Sequence, residues 1–322
     1  MSEQLAEPPC PLLVLCIDVE EDFDWDAPFS RDGYSLGSMT ALPDMVEWLN
    51  QRGVAPTLLV DYPVLADDAS AQTLKHIDES DSLQADFGTQ LHAWVNPPFD
   101  EALSSANSYA GNLPLATEHA KLESLTSTFK SDFHRPPSVY RAGRFGMGPN
   151  TPGILAGLNY QLDFSIFAGR DFSNDGGPDY RDQSAMPFKQ PGTPDLVFAP
   201  ATFGPSSMAA HLGRWLGLRL KPTPGTLLHR LCNRGWSWIS PEGVPLNRAK
   251  AVTRELAKSG QNVFIVTFHS PSLVPGNTPY VHTEADLADL HTWLDSYIQF
   301  FTDDIGGKPA TASQLINILS HK

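Results

Sequence analysis

The first long apolar run of the chain, Leu12-Leu13-Val14-Leu15-Cys16-Ile17, ends abruptly in acid: Asp18, Glu20, Glu21, Asp22, Asp24 and Asp26 fall within nine positions. A short apolar run bounded by charge predicts a parallel strand covered on both faces, its carboxyl end opening on an acidic mouth. Asp24 and Asp26 read as loop-solvating acids. Glu20 and Glu21 touch the strand end, where at least one should face a cavity. Further strand-like segments, bounded by turn or polar residues, lie at about 56–61, 86–91, 137–141, 161–165, 195–200 and 263–268. Helical patterns fall between several of them. Leu42, Met45, Val46 and Leu49 share one face before Gly53, and Asn150-Thr151-Pro152 opens a second helix with proline in its first turn. Thr283-Glu284-Ala285-Asp286 has the form of a capping box ahead of Leu287, Leu290, Leu294 and Ile298. Alternating strands and helices predict a parallel α/β fold.

The predicted strand ends carry Glu20 and Glu21, Asp61, His92, Arg141, Asp163 and His269 in turn. Titratable groups at so many strand ends are what a barrel with its site on one face would give, so a barrel of about seven strands is expected. A doubly wound sheet would gather its ligands at one switch point instead. No repeat or linker divides the chain, which reads as one domain over residues 1–322. Residues 201–260 are the least legible. There Trp215, Trp236 and Trp238 with Arg214, Arg230 and Arg234 form either an insertion covering the site or an amphipathic packing layer.

Charge narrows the partners. A net charge of −15 with dispersed basic residues weighs against nucleic acid, anionic membranes and strongly acidic substrates. Cys10, Cys16 and Cys232 lack Cys-x-x-Cys spacing and read as reduced structural thiols. No apolar segment nears the roughly 20 residues needed to span a bilayer, and the N-terminus has no basic start; a soluble cytoplasmic protein is expected.

Common chemistries leave no trace: there is no Gly-x-Ser-x-Gly elbow, no Walker loop and no His-Glu-x-x-His. Arg141-Ala-Gly-Arg-Phe-Gly-Met-Gly reads as a tight βα loop exposing Arg141 or Arg144. Eight histidines, His76, His119, His134, His211, His229, His282, His291 and His321, are scattered and read as surface or packing residues. His92 and His269 each end a strand and precede a proline-containing loop. On a fold whose other strand ends carry Glu, Arg and Asp, that setting points to chemistry.

Ile17-Asp18-Val19-Glu20-Glu21-Asp22-Phe23-Asp24-Trp25, Leu91-His92-Ala93-Trp94, Tyr140-Arg141-Ala142-Gly143-Arg144-Phe145-Gly146, Leu162-Asp163-Phe164-Ser165-Ile166 and Thr267-Phe268-His269-Ser270-Pro271 form an ordered series. It resembles the motif series of the polysaccharide deacetylase superfamily, in particular its WalW-like branch, over roughly residues 12 to 300. The resemblance implies a distorted (β/α)7 barrel that removes an N-acetyl or other N-acyl group from an amino sugar or saccharide. It implies Glu20 as general base, Glu21 at a metal-binding position, Arg141 orienting the base, and Asp163 orienting His269 as general acid. The residues themselves supply what amide hydrolysis needs: a base for water, positive charge for the oxyanion and an acid for the departing amine. Crowded acids would raise the pKa of Glu20, and Asp163 would favour the His269 imidazolium.

One departure stands out. Metal-dependent members place two histidines four residues apart, where this chain has Gln90 and Trp94 with His92 between them. A divalent ion, Zn, Co or Mn, is still possible through Glu21, His92 and either Asp22 or Asp18. A metal-free site would use Arg141 or Arg144 with backbone N–H groups. Trp25, Trp94 and Tyr280 are candidate faces for a sugar ring, with Arg144 nearby; packing at the barrel rim is the plainer alternative for the tryptophans. Two other functions stay open: a metal-independent amidase on a small non-sugar C–N substrate, and a catalytically silent saccharide-binding protein.

Overall fold

Seven parallel strands, curled into an open barrel, form the centre of the computed structural model. The description covers residue 5 and residues 8–25, 27–220, 227 and 234–320. Asp26, His229, Arg230, Cys232 and His321, and the side chain of Arg214, lie outside it. In chain order the strands are β1 (Leu12–Val19), β2 (Thr57–Val60), β3 (Asp86–Leu91), β4 (Val139–Ala142), β5 (Leu162–Asp163), β6 (Phe188–Lys189), β7 (Val197–Phe198), β8 (Phe203–Pro205), β9 (Trp236–Trp238), β10 (Val263–His269) and β11 (Lys308–Pro309).

The main sheet runs β10-β1-β2-β3-β4-β5-β7-β6, parallel except for the final pair, and β11 joins the start of β1. Among the described residues β7 and β10 are not paired with each other, so the barrel has a seam. Chain just beyond β7 fills it: the Thr202 hydroxyl accepts a hydrogen bond from Ile265 N at 2.7 Å, and the Thr202 carbonyl accepts one from Ile239 N at 3.2 Å. The antiparallel hairpin β8–β9 follows, with the helix Met208–Leu220 between its strands. All seven predicted strands are present, each within a few residues of its expected bounds.

Alternation along β1 explains why its run is apolar throughout. Leu12, Val14 and Cys16 point one way, joining Leu59, Val139, Leu162, Phe164, Val197, Val263 and Ile265 in the barrel interior. Leu13, Leu15, Ile17 and Val19 point outward beneath the helical layer. The helix Ala312–Ser320 plugs the amino-terminal end with Ala312, Leu315, Ile316 and Leu319. Its first N–H groups are held by Thr57 Oγ1 and Asp86 Oδ2 at 3.2 and 2.7 Å. The capping box at Thr283 is formed with Asp286 and opens the helix Glu284–Asp303. With one end plugged by leucines, only the carboxyl end can hold polar groups open to solvent.

Candidate active site

Period-two alternation carries the interior face of each strand up to that mouth. Asp18 and Glu20 continue the phase of Leu12, Val14 and Cys16; Asp61 continues that of Leu59, Arg141 that of Val139, and His269 that of Val263 and Ile265. Asp18, Glu20, Gln90, His92, Arg141 and His269 accordingly line one cavity of about 690 Å³.

Arg141, fully buried, reaches across the interior to an ion pair with Asp18 and donates to Thr267 Oγ1 at 2.7 Å. Its Nε and Nη2 have no hydrogen-bond partner among the described residues. The expected link between Arg141 and Glu20 is not made. Glu20 Oε2 instead accepts from Gln90 Nε2 at 3.1 Å, and Glu20 N donates to Ser270 Oγ. Burial pushes the Glu20 carboxyl up to about 7, with His269 and His92 pulling the other way.

The partner of His269 is Glu242. Its Oε2 lies 2.7 Å from His269 Nδ1, and its Oε1 accepts from His269 N at 3.1 Å and Ser272 Oγ at 2.6 Å. Burial alone would lower the His269 pKa, but Glu242, Glu20 and Asp18 outweigh it and hold the imidazolium up to about 10. Asp18 Oδ2 stands 3.8 Å from Nε2. Asp163, expected in the role Glu242 fills, sits between the interior-facing Leu162 and Phe164 and is therefore out of phase with them. Its oxygens accept from Ser165 N and Ser165 Oγ at 2.9 and 2.6 Å, and Ala142 N donates to the same hydroxyl at 2.7 Å, fastening β4 to β5. One cue to Glu242 was present in the sequence: it is the first acid after Asp195.

A second cluster joins Glu21, Asp61 and His92, whose ligand atoms lie within 4.8 Å of one another. His92 Nδ1 is 2.8 Å from Glu21 Oε2, Trp94 Nε1 donates to Glu21 Oε1 at 3.1 Å, and Glu21 N donates to Asp61 Oδ2 at 3.0 Å. Asp61 also caps the helix Tyr62–Ala66. Burial drives the Glu21 carboxyl up to about 8 and the Asp61 carboxyl well above its ordinary value. Two adjacent buried carboxyls with one imidazole form an O, O, N donor set that a divalent cation would relieve of its protonation. The residues therefore fit a metal. Asp22 and Asp18 are not part of this set: Asp22 Oδ2 accepts from Ser35 Oγ at 2.7 Å and Ser38 N at 3.2 Å, and Asp18 is engaged by Arg141.

The cavity walls are aromatic. Trp25 meets His269 and Tyr280 edge-on at 5.1 and 5.8 Å. Trp94 is buried and stacked on His92 at 4.2 Å, so its face is already taken. Arg144 sits in the wall, paired with Asp175 and lying over the Tyr109 ring at 4.1 Å. Trp238, from the segment 201–260, also lines the cavity, whereas Trp236 packs against Phe203 and Trp215 is 44% exposed.

No protein-family model matches the chain, and no curated protein matches it. Solved structures do. A protein from Mycobacterium smegmatis described as a candidate polysaccharide deacetylase superposes with a TM-score of 0.55, at 16% identity, over 98% of this chain and 95% of that one. The chain has the polysaccharide deacetylase fold. Also similar are a family 4 acetyl xylan esterase from Clostridium thermocellum in complex with a cobalt ion (TM-score 0.44, 11% identity, 95% and 91% covered) and a CE4 family pseudoenzyme from Bacillus anthracis (0.44, 11%, 96% and 66%). Within this fold the expected distorted barrel appears as a curled sheet with an open seam, and its acids and histidines stand at the carboxyl ends of the strands.

Proposed function

We propose that the chain hydrolyses an N-acyl group, N-acetyl foremost, from an amino sugar or saccharide. The observation that carries this reading is the meeting of Glu20, Arg141 and His269, from three separate strand ends, on the wall of one aromatic cavity. The likeness in fold to a candidate polysaccharide deacetylase supports the same substrate class.

Glu20, buried and facing the cavity, takes a proton from the attacking water. Arg141, paired with Asp18, lies in the cavity wall, where its positive charge favours the developing oxyanion. His269, held as imidazolium by Glu242, protonates the departing amine. Asp163 anchors the strand that presents Arg141. Trp25 and Tyr280 offer ring faces to a sugar, while Trp94 and Arg144 shape the wall. When a zinc, cobalt or manganese ion is bound, Glu21, Asp61 and His92 hold it, and it supplies Lewis-acid polarisation of the acyl oxygen. The free thiols Cys10 and Cys16, the latter pushed up to about 12 by burial, suit a reducing, cytoplasmic setting.

Acetate release from N-acetylglucosamine oligomers tests the reading. His269→Ala should cost about 10²-fold or more; full activity in that variant, or tight saccharide binding with no acetate from the wild type, would overturn it. A second reading, metal-free hydrolysis of a small C–N substrate, is favoured by one feature. Both oxygens of Glu21 are already engaged, Oε1 accepting from Trp94 Nε1 and Oε2 lying 2.8 Å from His92 Nδ1. Activity on small amides that survives chelation would establish it.

A further inference from the structure

The cavity wall closes on itself. Residues 22–35, which follow β1, form a loop drawn together at its base, where Asp22 and Ser35 exchange backbone hydrogen bonds of 2.9 and 3.0 Å. The loop runs along the rim in both directions. Toward β10, Trp25 meets the Tyr280 ring. Toward β3 and β4, Phe29 packs on Trp94 at 4.9 Å and lies under the Arg144 guanidinium at 5.1 Å, and Arg31 fixes this end by donating to Glu101 O at 2.6 Å.

Arg144 carries the wall onward. Its ion pair with Asp175 crosses from the loop after β4 to the loop after β5, and Asp175 also accepts from Tyr109 Oη at 3.0 Å and Ser105 Oγ at 2.6 Å, both in the segment after β3. From Phe172, in the same loop as Asp175, ring contacts of 5.9 and 5.7 Å run through Phe167 to Trp238. A little further along the chain Gly243 backs onto Tyr280, where a Cβ would stand 3.3 Å from Cε1. The circuit of contacts thus returns to Trp25, with Glu20 and Arg141, 2% and 1% exposed, inside it at the strand ends.

A closed wall limits what reaches those groups. An interior sugar of a polymer has a neighbour on each side, so its acyl group meets a strand-end site only along a groove open at both ends. A ringed cavity takes its substrate end-on: the last sugar enters and the rest of the chain stays in solvent. The volume of about 690 Å³ lies within the range of about 300–1,000 Å³ over which pockets enclose a single small molecule. Resting on the hydrolytic reading above, we propose that the substrate is a terminal N-acyl amino sugar, free or at the end of a short chain, and that the joint of Phe29, Arg144 and Asp175 excludes interior residues of a polymer.

The test is acetate release by the full chain along a length series of N-acetylglucosamine, from monomer to pentamer, with the pentamer labelled at its reducing end so that mass spectrometry locates the sugar that loses its acetyl group. A pocket offers no contacts to remote sugars, so kcat/KM should vary less than about threefold along the series, and the pentamer should be deacetylated at a terminus alone. Arg144→Ala and Phe29→Ala, each with unchanged circular dichroism, open the joint and should raise the pentamer-to-monomer ratio of kcat/KM at least about fivefold. Acetate from interior residues in the wild type, a kcat/KM that climbs with each added sugar, or an unmoved ratio in both variants overturns the proposal and leaves the hydrolytic reading standing. Should no length yield acetate, the hydrolytic reading falls, and calorimetry on the same series decides the pocket: one affinity at every length supports it, whereas affinity that rises with length, or no binding, overturns it.

Discussion

His269 shows two opposing forces at a single side chain. Burial disfavours its charge, whereas Glu242 at 2.7 Å, with Glu20 and Asp18 nearby, favours it and prevails. Glu242→Gln keeps the shape of the contact and removes its charge. The alkaline limb of acetate release should then fall from near pH 10 toward 6.5, with kcat reduced and KM little changed. Glu242→Asp should restore part of the shift, and an unmoved limb would show that Glu242 does not govern the imidazolium. The sequence made His269 and Arg141 legible because each ends a strand. Their partners were not legible. Asp163 was the natural choice for His269, but its position between two interior residues turns it away. Asp61, present among the strand-end residues with no assigned role, replaces Asp22 beside Glu21 and His92. Asp61→Asn should weaken zinc binding, read by calorimetry, at least about tenfold; undiminished affinity in that variant would remove Asp61 from the donor set.

The loop after β4 is an element whose shape is set by one close approach. A Cβ on Gly143 would stand 2.3 Å from His92 Cδ2 and 2.7 Å from Leu91 O. The two following residues, Arg144 and Phe145, both adopt left-handed backbone, at φ 56° and 57°, which side chains resist. Gly143→Ala should cost about 1–3 kcal/mol in thermal or denaturant unfolding and displace His92. Wild-type stability and zinc affinity together would contradict that account. The glycines were visible in the sequence, and the tight βα loop with them, but not the histidine they accommodate. The plug helix makes a second element-scale prediction. Leu315 is fully buried at the closed end of the barrel, so Leu315→Ala should cost about 2–5 kcal/mol. The capping box at Thr283 could be read from four residues, whereas the long helix Leu115–Phe133 was not singled out: Leu122, Leu125, Phe129 and Phe133 share its buried face, but the charged Glu118 and Lys121 stand on that face ahead of them.

Across the whole molecule, the fold favours the protonated form of one buried carboxyl, Asp163, and of the His269 imidazole. The Asp163 carboxyl rises from 3.8 to about 7 through burial, and the His269 pKa rises from 6.5 to about 10. A raised folded-state pKa gives stability that is complete below the unfolded value and lost as pH climbs through the folded one. Melting temperature should therefore fall as pH rises, first between about 4 and 7 through Asp163 and then from 6.5 to about 10 through His269; a curve that climbs over the second range would contradict the imidazolium assignment. The sequence by itself determined the seven strands, the phase of their side chains and the acidic end at which chemistry gathers, because strand period and strand termini are local properties of the chain. Only the tertiary structure decided which groups meet: Arg141 with Asp18, His269 with Glu242, Glu21 with Asp61 and His92. Those pairs are selected by how the sheet curls across its interior and by whether a residue is in phase with that interior, and neither is encoded within any one segment.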